Sequence, residues 1–424
     1  MITPRRVALR FGVVYLTLFC LVTQISGSLI PNPWFTYRGL GRLWPMREMT
    51  HWAAATFFGV DVPLDDVSGG ETLFFWIQWS WVIVASVLIT AAWSLIDRRR
   101  SHAAWLPWFR IAARLALAAS MIEYGMTKVI PTQFPQPPLI ALVTPAGEMT
   151  LSALLWTTIG AAPAYQIATG CVEVLAGVLL LLPWTVPLGA LLALVSLLQV
   201  LLLNLSFDIG VKLVTTHLIV LALILLAPFA RELVTVLIGR ASVESGFGRI
   251  RVPAAPAIRL KPDSTAVLLP IALGVYLLAT QTWINWNFWQ VAGGGRPKSV
   301  LYGIWNVERL SVDGQARPAE LNDYDRRWRR VIFDAPDVAV FQRTDDSFAR
   351  FGVSIDEGTG TFALTKGASH TWSSRFTFDR AADGTLNLDG AMDGYRIQAE
   401  LRRVDPSAFP LLNSGFRWVR PHDP

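Results

Sequence analysis

A helix needs roughly 20 largely apolar residues to cross the hydrocarbon of a bilayer, because each residue advances the axis by about 1.5 Å. This chain has seven such runs, at 11–30, 72–96, 107–130, 163–183, 186–206, 213–230 and 265–288. Backbone inside a membrane must satisfy its own hydrogen bonds, so the runs predict a membrane all-α helical bundle of about seven transmembrane helices. Composition agrees. Only 16% of the residues are charged, against about 25% in a soluble domain. Two shorter pieces, "LWPMREMTHWAAATFFGV" (43–60) and 149–160, read as surface or interfacial segments.

Charge divides the chain in two. Residues 296–424 hold 18 basic and 18 acidic side chains, whereas residues 1–295 hold 19 basic and 13 acidic. The expected domains are a transmembrane domain over 1–290, a linker over 291–300 ("VAGGGRPKSV") and a separate module over 301–424. The linker lacks the GxxxxGK[ST] spacing of a phosphate loop. The basic excess has a topological use and does not point to nucleic acid. Seven spans with a cytoplasmic N-terminus place 14 of the 19 basic residues of the first part on the cytoplasmic side. The expectation is a multi-pass protein of a bacterial-type inner (plasma) membrane, with its C-terminal module extracytoplasmic. The "RR" before the first run and the "SGS" (26–28) that ends it also suit a cleavable signal peptide, but span and flanks resemble an anchor helix more.

Ionisable and amide groups inside the runs are the candidate functional residues. Counting rise per residue from each span's ends brings Glu123, Lys128, Glu173, Asn204, Asp208, Lys212 and His217 into one half of the membrane, the outer half. An ionised group at the bilayer centre costs about 2.5–3.5 kcal/mol on insertion scales, so such groups pair or line a wet cavity. Asp208 and Lys212 are four apart and suit an ion pair. Glu123 and Lys128 are five apart and point about 140° away from each other on a helix, so each calls for a partner on another span. Glu173 with Lys212 or with His217 is the expected pairing. Two readings stand side by side: interhelical pairs that fix the bundle, or a ligand or redox site. In the second, Glu123, Glu173 and His217 handle protons, while Lys128, Lys212, Asp208 and Asn204 hold a headgroup.

Cofactor signatures are sparse. Haem between helices needs two axial ligands, and His217 is the one histidine well inside a span; no iron–sulfur motif is visible, and no ExxH spacing supports a metal. Cys20 and Cys171 form no CxxC pattern and read as inert buried thiols.

The runs "RLALAASMIEYGMTK" (114–128), "GCVEVLAGVLLLLPWTVPLGALLAL" (170–194) and "DIGVKLVTTHLIVLALILLAP" (208–228) together resemble the DoxX-like family of small membrane proteins. The resemblance covers about residues 107–230 and implies a four-helix core. It also implies a redox-associated role, as in the membrane subunit of a quinone-dependent oxidoreductase, with quinone as cofactor and a redox enzyme or extracytoplasmic protein as partner. Carried over by position, Gly125, Lys128, Glu173, Lys212 and His217 would form a site for a quinone-like or anionic headgroup. The chain departs from the family pattern by two extra N-terminal spans, a seventh span and the external module. A membrane core followed by an extracytoplasmic β-domain is also similar in architecture to the vitamin K-dependent carboxylases.

The last third changes period. "SRFTFDR" (374–380) and "GYRIQAELRRV" (394–404) alternate polar with apolar residues, and Asp-Gly pairs at 313–314, 383–384, 389–390 and 393–394 suggest turns. The expectation is a small antiparallel β-barrel. Its opening, "LYGIWNVERL" (301–310), resembles the Gly-x-Trp start of lipocalin-like barrels, which implies that Trp305 closes one end and that a small apolar ligand could lie inside. "DYDRRWRRVIFD" (323–334) reads as a charged edge strand and "GFRWV" (415–419) as the closing strand. The alternative to a quinone-linked role is a non-enzymatic membrane anchor or assembly protein whose barrel binds a lipid or protein partner. The protein would in either case have the bilayer as its first partner.

Overall fold

A computed structural model of the chain describes residues 4–32, 34, 39–62, 71–97, 105–237, 265–319, 327–366, 372–413 and 418. Two compact units separate by their internal packing: Met1–Gln133 with Ala164–Asn287, and Phe134–Pro163 with Phe288–Pro424.

In chain order the helices are α1 (Pro4–Val22), α2 (Gln24–Leu29), α3 (Met46–Ala53), α4 (Leu73–Ile96), α5 (Leu106–Val129), α6 (Leu151–Ala161), α7 (Pro163–Leu181), α8 (Val186–Ser206), α9 (Lys212–Leu226), α10 (Ala230–Leu237) and α11 (Thr265–Ala292). The expected runs are helical, except that the first, 11–30, is two helices separated by an extended Thr23. Among the described residues, five stretches have the length and apolar content of a membrane span: Leu73–Ile96, Pro163–Leu181, Val186–Ser206, Lys212–Thr235 and Leu268–Ala292. α1 and α5 fall outside that set because of the charges they carry. In α5 these are Arg110, Arg114, Glu123 and Lys128. That helix tolerates them because it is enclosed by protein: Ala116–Ile122, Gly125, Met126 and Lys128 are all buried.

The bundle core joins α1, α5, α7, α8 and α9 through Phe19, Leu117, Ile122, Leu180, Ala193 and Leu218. Glycines let α5 and α7 touch backbone to backbone. A Cβ on Gly125 would lie 2.7 Å from the Val174 nitrogen, and one on Gly170 would lie 2.6 Å from the Gly125 oxygen. At the far end of α1, Arg10 is buried and donates to the Trp93 and Asp97 carbonyls at 3.3 and 2.8 Å, tying α1 to the C-terminus of α4.

The second unit is built on β1 (Gly303–Val312), β2 (Gln315–Ala316), β3 (Trp328–Phe333), β4 (Val338–Arg343), β5 (Phe348–Asp356), β6 (Thr361–Lys366), β7 (Trp372–Arg380), β8 (Thr385–Met392) and β9 (Tyr395–Arg403), followed by α12 (Pro410–Asn413). All pairings are antiparallel. β1 and β3–β9 form a meander that closes when β9 pairs with β1, giving an eight-stranded barrel, with β2 as a short hairpin partner of β1. Closure removes the free edges that an open sheet would expose. A bulge between Val307 and Arg309 shifts the alternation of β1, so Trp305 and Val307 point inward before it, and Leu310 and Val312 after it. Trp305 is buried and donates from Nε1 to the Leu301 carbonyl at 2.9 Å. The interior is filled by aromatic rings. Trp328 lies 4.6 Å from Phe341 between centroids, and Phe362 stacks on Phe376 at 5.3 Å.

Three sequence expectations are corrected here. Asp313-Gly314 and Asp393-Gly394 are turns with both residues at positive φ, but Asp389-Gly390 lies inside β8. β3 is not an edge strand: it pairs with both β1 and β4, and Trp328 points into the core, while residues 323–326 of that charged stretch lie outside the described residues. The closing strand is β9 rather than 415–419, a stretch of which Trp418 alone is described.

The segment 134–163, between α5 and α7, belongs with the barrel unit. A 3-10 turn at Leu139–Leu142 covers an outward apolar patch made by Ile304, Ile332 and Val340. Asp334 locks it in place. Its Oδ2 accepts from the Leu139 N–H at 3.1 Å and its Oδ1 binds Arg296 at 2.7 Å. Nothing in the periodicity of 134–163 announces this attachment.

Candidate functional site

Polar side chains gather at one end of the helical unit, and the contacts between helices define that end. Gln24, in α2, donates to the Tyr124 hydroxyl of α5 at 2.5 Å. Just past α5, Thr132 donates to Asn285 of α11 at 2.7 Å. Asn204, near the end of α8, donates to Thr215 near the start of α9 at 3.1 Å. Glu71, just before α4, accepts from the Leu213 N–H in the first turn of α9 and so caps that helix from a distant part of the chain. A cavity of about 30 Å³ lies beside it, lined in part by Gln24, Arg42, Glu71 and Gln78; it has room for about one water molecule.

The centre of this region is an ion pair. Lys128 Nζ lies 2.6 Å from Glu173 Oε2, and both side chains are almost fully buried. Lys128 makes a second bond to the Tyr124 carbonyl at 3.2 Å. The glycine approach of α5 to α7 makes the pair possible, because Gly170 packs against the Lys128 Cβ and lets the ammonium reach across. Glu123, on the same helix, is half-buried and does not form this pair.

The expected partners of Glu173 are therefore replaced. Lys212 instead pairs with Asp208 at 3.0 Å, in a turn where Asp208 adopts φ +52°, so the turn is not helical; both side chains reach solvent, Asp208 almost entirely. His217 belongs to a third group. Trp79 Nε1–H donates to the Tyr15 oxygen at 2.7 Å, and Tyr15 lies 2.6 Å from His217 Nε2. His217 Nδ1 lies 2.7 Å from the Leu213 carbonyl. A carbonyl can only accept, so Nδ1 carries the proton and Nε2 accepts from the Tyr15 hydroxyl. The imidazole also stacks on Phe19 at 3.6 Å between centroids. Neutral His217 thus has both ring nitrogens satisfied.

Six of the seven sequence-derived residues divide into separate contacts: Lys128 with Glu173, Lys212 with Asp208, Asn204 with Thr215, and His217 with Tyr15. Sequence reasoning missed Tyr15, Gln24, Glu71, Trp79, Tyr124, Thr132 and Asn285. The i,i+4 pair Gln281–Asn285 inside an apolar run is the available signal, and the Asn285 amide does donate to the Gln281 side-chain oxygen at 3.3 Å. Among the described residues no cluster of three or more His, Cys, Asp or Glu side chains is arranged to hold a metal. Both cysteines are free, and Cys171 is exposed on α7 rather than buried.

An apolar multi-helix unit with internally paired charges, joined to a closed antiparallel barrel, defines a membrane protein with an appended β-barrel module. The chain is 39% identical over 116 residues to the uncharacterized protein YwoB of Bacillus subtilis (strain 168), a match that takes in 27% of this chain and 71% of that protein. It belongs to the family of that protein. No family model matches the chain, and no solved structure matches it.

Proposed function

We propose that this protein is a non-enzymatic membrane anchor and binding or assembly protein, whose bundle fixes the barrel to a membrane and whose barrel binds a partner. The observation that carries this reading is the Lys128–Glu173 pair. The lysine proposed as a headgroup holder and the carboxylate proposed as a proton carrier are bonded to each other at 2.6 Å. Pairing of this kind neutralises charge where lipid cannot, and leaves recognition to the barrel. With the barrel's interior filled by rings, binding falls to its outer wall. There Arg309, Asp379, Asn387, Asp389, Gln398 and Glu400, on β1 and β7–β9, line a groove of about 840 Å³, a volume in the range of small-molecule sites.

The topology that suits this reading has seven spans in a bacterial-type inner membrane, with α1 and α5 crossing as protein-enclosed helices. Arg10, Arg110, Arg114 and Arg231 mark the cytoplasmic end, and the barrel is extracytoplasmic.

A second reading is the quinone-linked, DoxX-like one. It is favoured by the Trp79–Tyr15–His217 chain, in which an indole donates to a phenol and the phenol to an imidazole in a partly buried setting. In that reading Glu123, Glu173 and His217 move protons, and Lys128, Lys212, Asp208 and Asn204 hold a quinone.

Mass spectrometry of an organic extract from protein purified in mild detergent separates the two. Bulk lipid alone, unchanged between wild type and Lys128→Ala, is the expected result. A stoichiometric quinone that is lost in the variant would overturn the anchor reading.

A further inference from the structure

α3 and the π-helical turn that continues it (Ala54–Phe58) have two dissimilar faces. One packs on α4. Thr50 is fully buried and accepts from Trp81 Nε1 at 3.1 Å, while Ala53 and Ala54 join a small core with Phe74 and Ile77. The other face carries Trp44, Met49, Trp52, Phe57 and Phe58, all exposed; Trp44 is 79% and Phe57 69% exposed. The wide turn of the π-helix brings residues five apart together, and Trp52 and Phe57 meet edge to face at 5.4 Å. Charge on this element is internally cancelled, because Arg47 and Glu48 bind each other at 2.9 Å. Gly59, at φ +63°, ends the turn in a left-handed conformation.

We propose that the segment from Leu43 to Phe58 is a lipid-inserting element that lies in the plane of the bilayer interface, with Trp44, Trp52, Phe57 and Phe58 sunk among the headgroups and upper acyl chains. The occupant follows from continuity. α4 is a span, and its first turn exposes Leu73 and Trp76 beside the element, so the aromatic face extends a surface that already meets lipid. Trp and Phe on one face of an amphipathic helix of balanced charge at the end of a span are the chemistry that favours this zone. The element would set the depth at which α4 enters the membrane.

The test is site-directed spin labelling with oxygen and a water-soluble nickel chelate as competing relaxers. Cys20 and Cys171 are first replaced by Ser, and the full chain is reconstituted in vesicles of phosphatidylcholine and phosphatidylglycerol. Nitroxides are placed by Phe57→Cys, by Glu48→Cys as an aqueous control, and by Leu88→Cys in the middle of α4 as a lipid control. Oxygen is expected to outcompete the nickel chelate several-fold at positions 57 and 88, and the order to reverse at 48. Nickel access at 57 with oxygen access at 88 overturns the proposal, as does low access to both relaxers at 57, which would mean that a second copy or another protein covers the face. Nickel access at 88 would instead overturn the membrane reading of α4 on which the proposal rests. Should Phe57→Cys not fold, Trp52→Cys reads the same face.

Discussion

Replacing Glu173 by Gln is the perturbation that bears hardest on the anchor reading. The Nζ–Oε2 separation is 2.6 Å, and at an effective dielectric near 20 two unit charges at that distance attract by roughly 6 kcal/mol. Taking both ions out of water costs several kcal/mol each, so the intact pair contributes little net stability. Removing one partner is a different matter. The Lys128 ammonium would remain buried with a neutral amide in place of its counter-ion, a change that costs about 3–5 kcal/mol. Lys128→Met should cost a similar amount, because it strands the carboxylate. The double variant removes both charges and should be no worse than either single, which corresponds to a coupling energy of about 3 kcal/mol or more. Unfolding midpoints of the four proteins in one mild detergent measure the cycle. Single variants that melt with wild type, or losses that simply add in the double variant, would refute the account of the pair as a structural contact.

Two further outcomes follow from contacts elsewhere. Burial raises the pKa of the Glu71 carboxyl, an effect that the Leu213 N–H and the Lys212 charge only partly offset. The stability Glu71 contributes is therefore fully present below the ordinary carboxylate range and is lost as pH rises through its raised value; Glu71→Gln should flatten the pH dependence of the unfolding midpoint across that window. Asp334→Ala removes the acceptor shared by Arg296 and the Leu139 N–H, bonds worth about 1.5–3 kcal/mol each when a charge is involved. Hydrogen exchange at 139–143 should accelerate while exchange in β6–β8 stays unchanged, and equal protection in variant and wild type would rule out the clasp.

How far the sequence could be read depends on which coordinate of a helix is at stake. Depth along the axis is a matter of counting residues, and it singles out Lys128, Glu173, Asn204 and His217, each of which bonds a residue of another helix. Rotation about the axis is not countable without knowing each helix's neighbours. Glu173 was therefore assigned to Lys212 or His217, when the glycine approach of α5 to α7 had already turned it toward Lys128. Tyr15 went unnoticed for the same reason, since a tyrosine in an apolar run reads as interfacial until His217 is seen opposite it. In the barrel, period-two alternation located the strands and Asp-Gly pairs marked three of the turns, but Asp389-Gly390 obeys another cause. Gly390 sits where a Cβ would strike the Arg375 carbonyl and the Phe376 ring, so packing between β7 and β8 demands it. Local pattern cannot tell a glycine that turns the chain from one that makes room.

The pair between α5 and α7 has a use beyond neutrality. A buried ion pair is a weak source of stability, and well-packed apolar residues of similar size would often serve as well or better. What apolar side chains do not supply is register: Leu or Met at 128 and 173 could slide by a turn along a glycine-rich contact, whereas a 2.6 Å bond across Gly125 and Gly170 permits one alignment. Register is a property of the α5–α7 contact itself, where Gly125 and Gly170 bring the two backbones together. A slip of one turn, about 5.4 Å, would break the Gly125–Gly170 approach and the Lys128–Glu173 bond together. The double variant of the cycle above distinguishes this role from simple charge compensation. If the pair sets register, the double variant should keep the unfolding midpoint of the milder single and yet lose exchange protection in the last turn of α5; if protection there is unchanged, neutralisation is all that the pair provides.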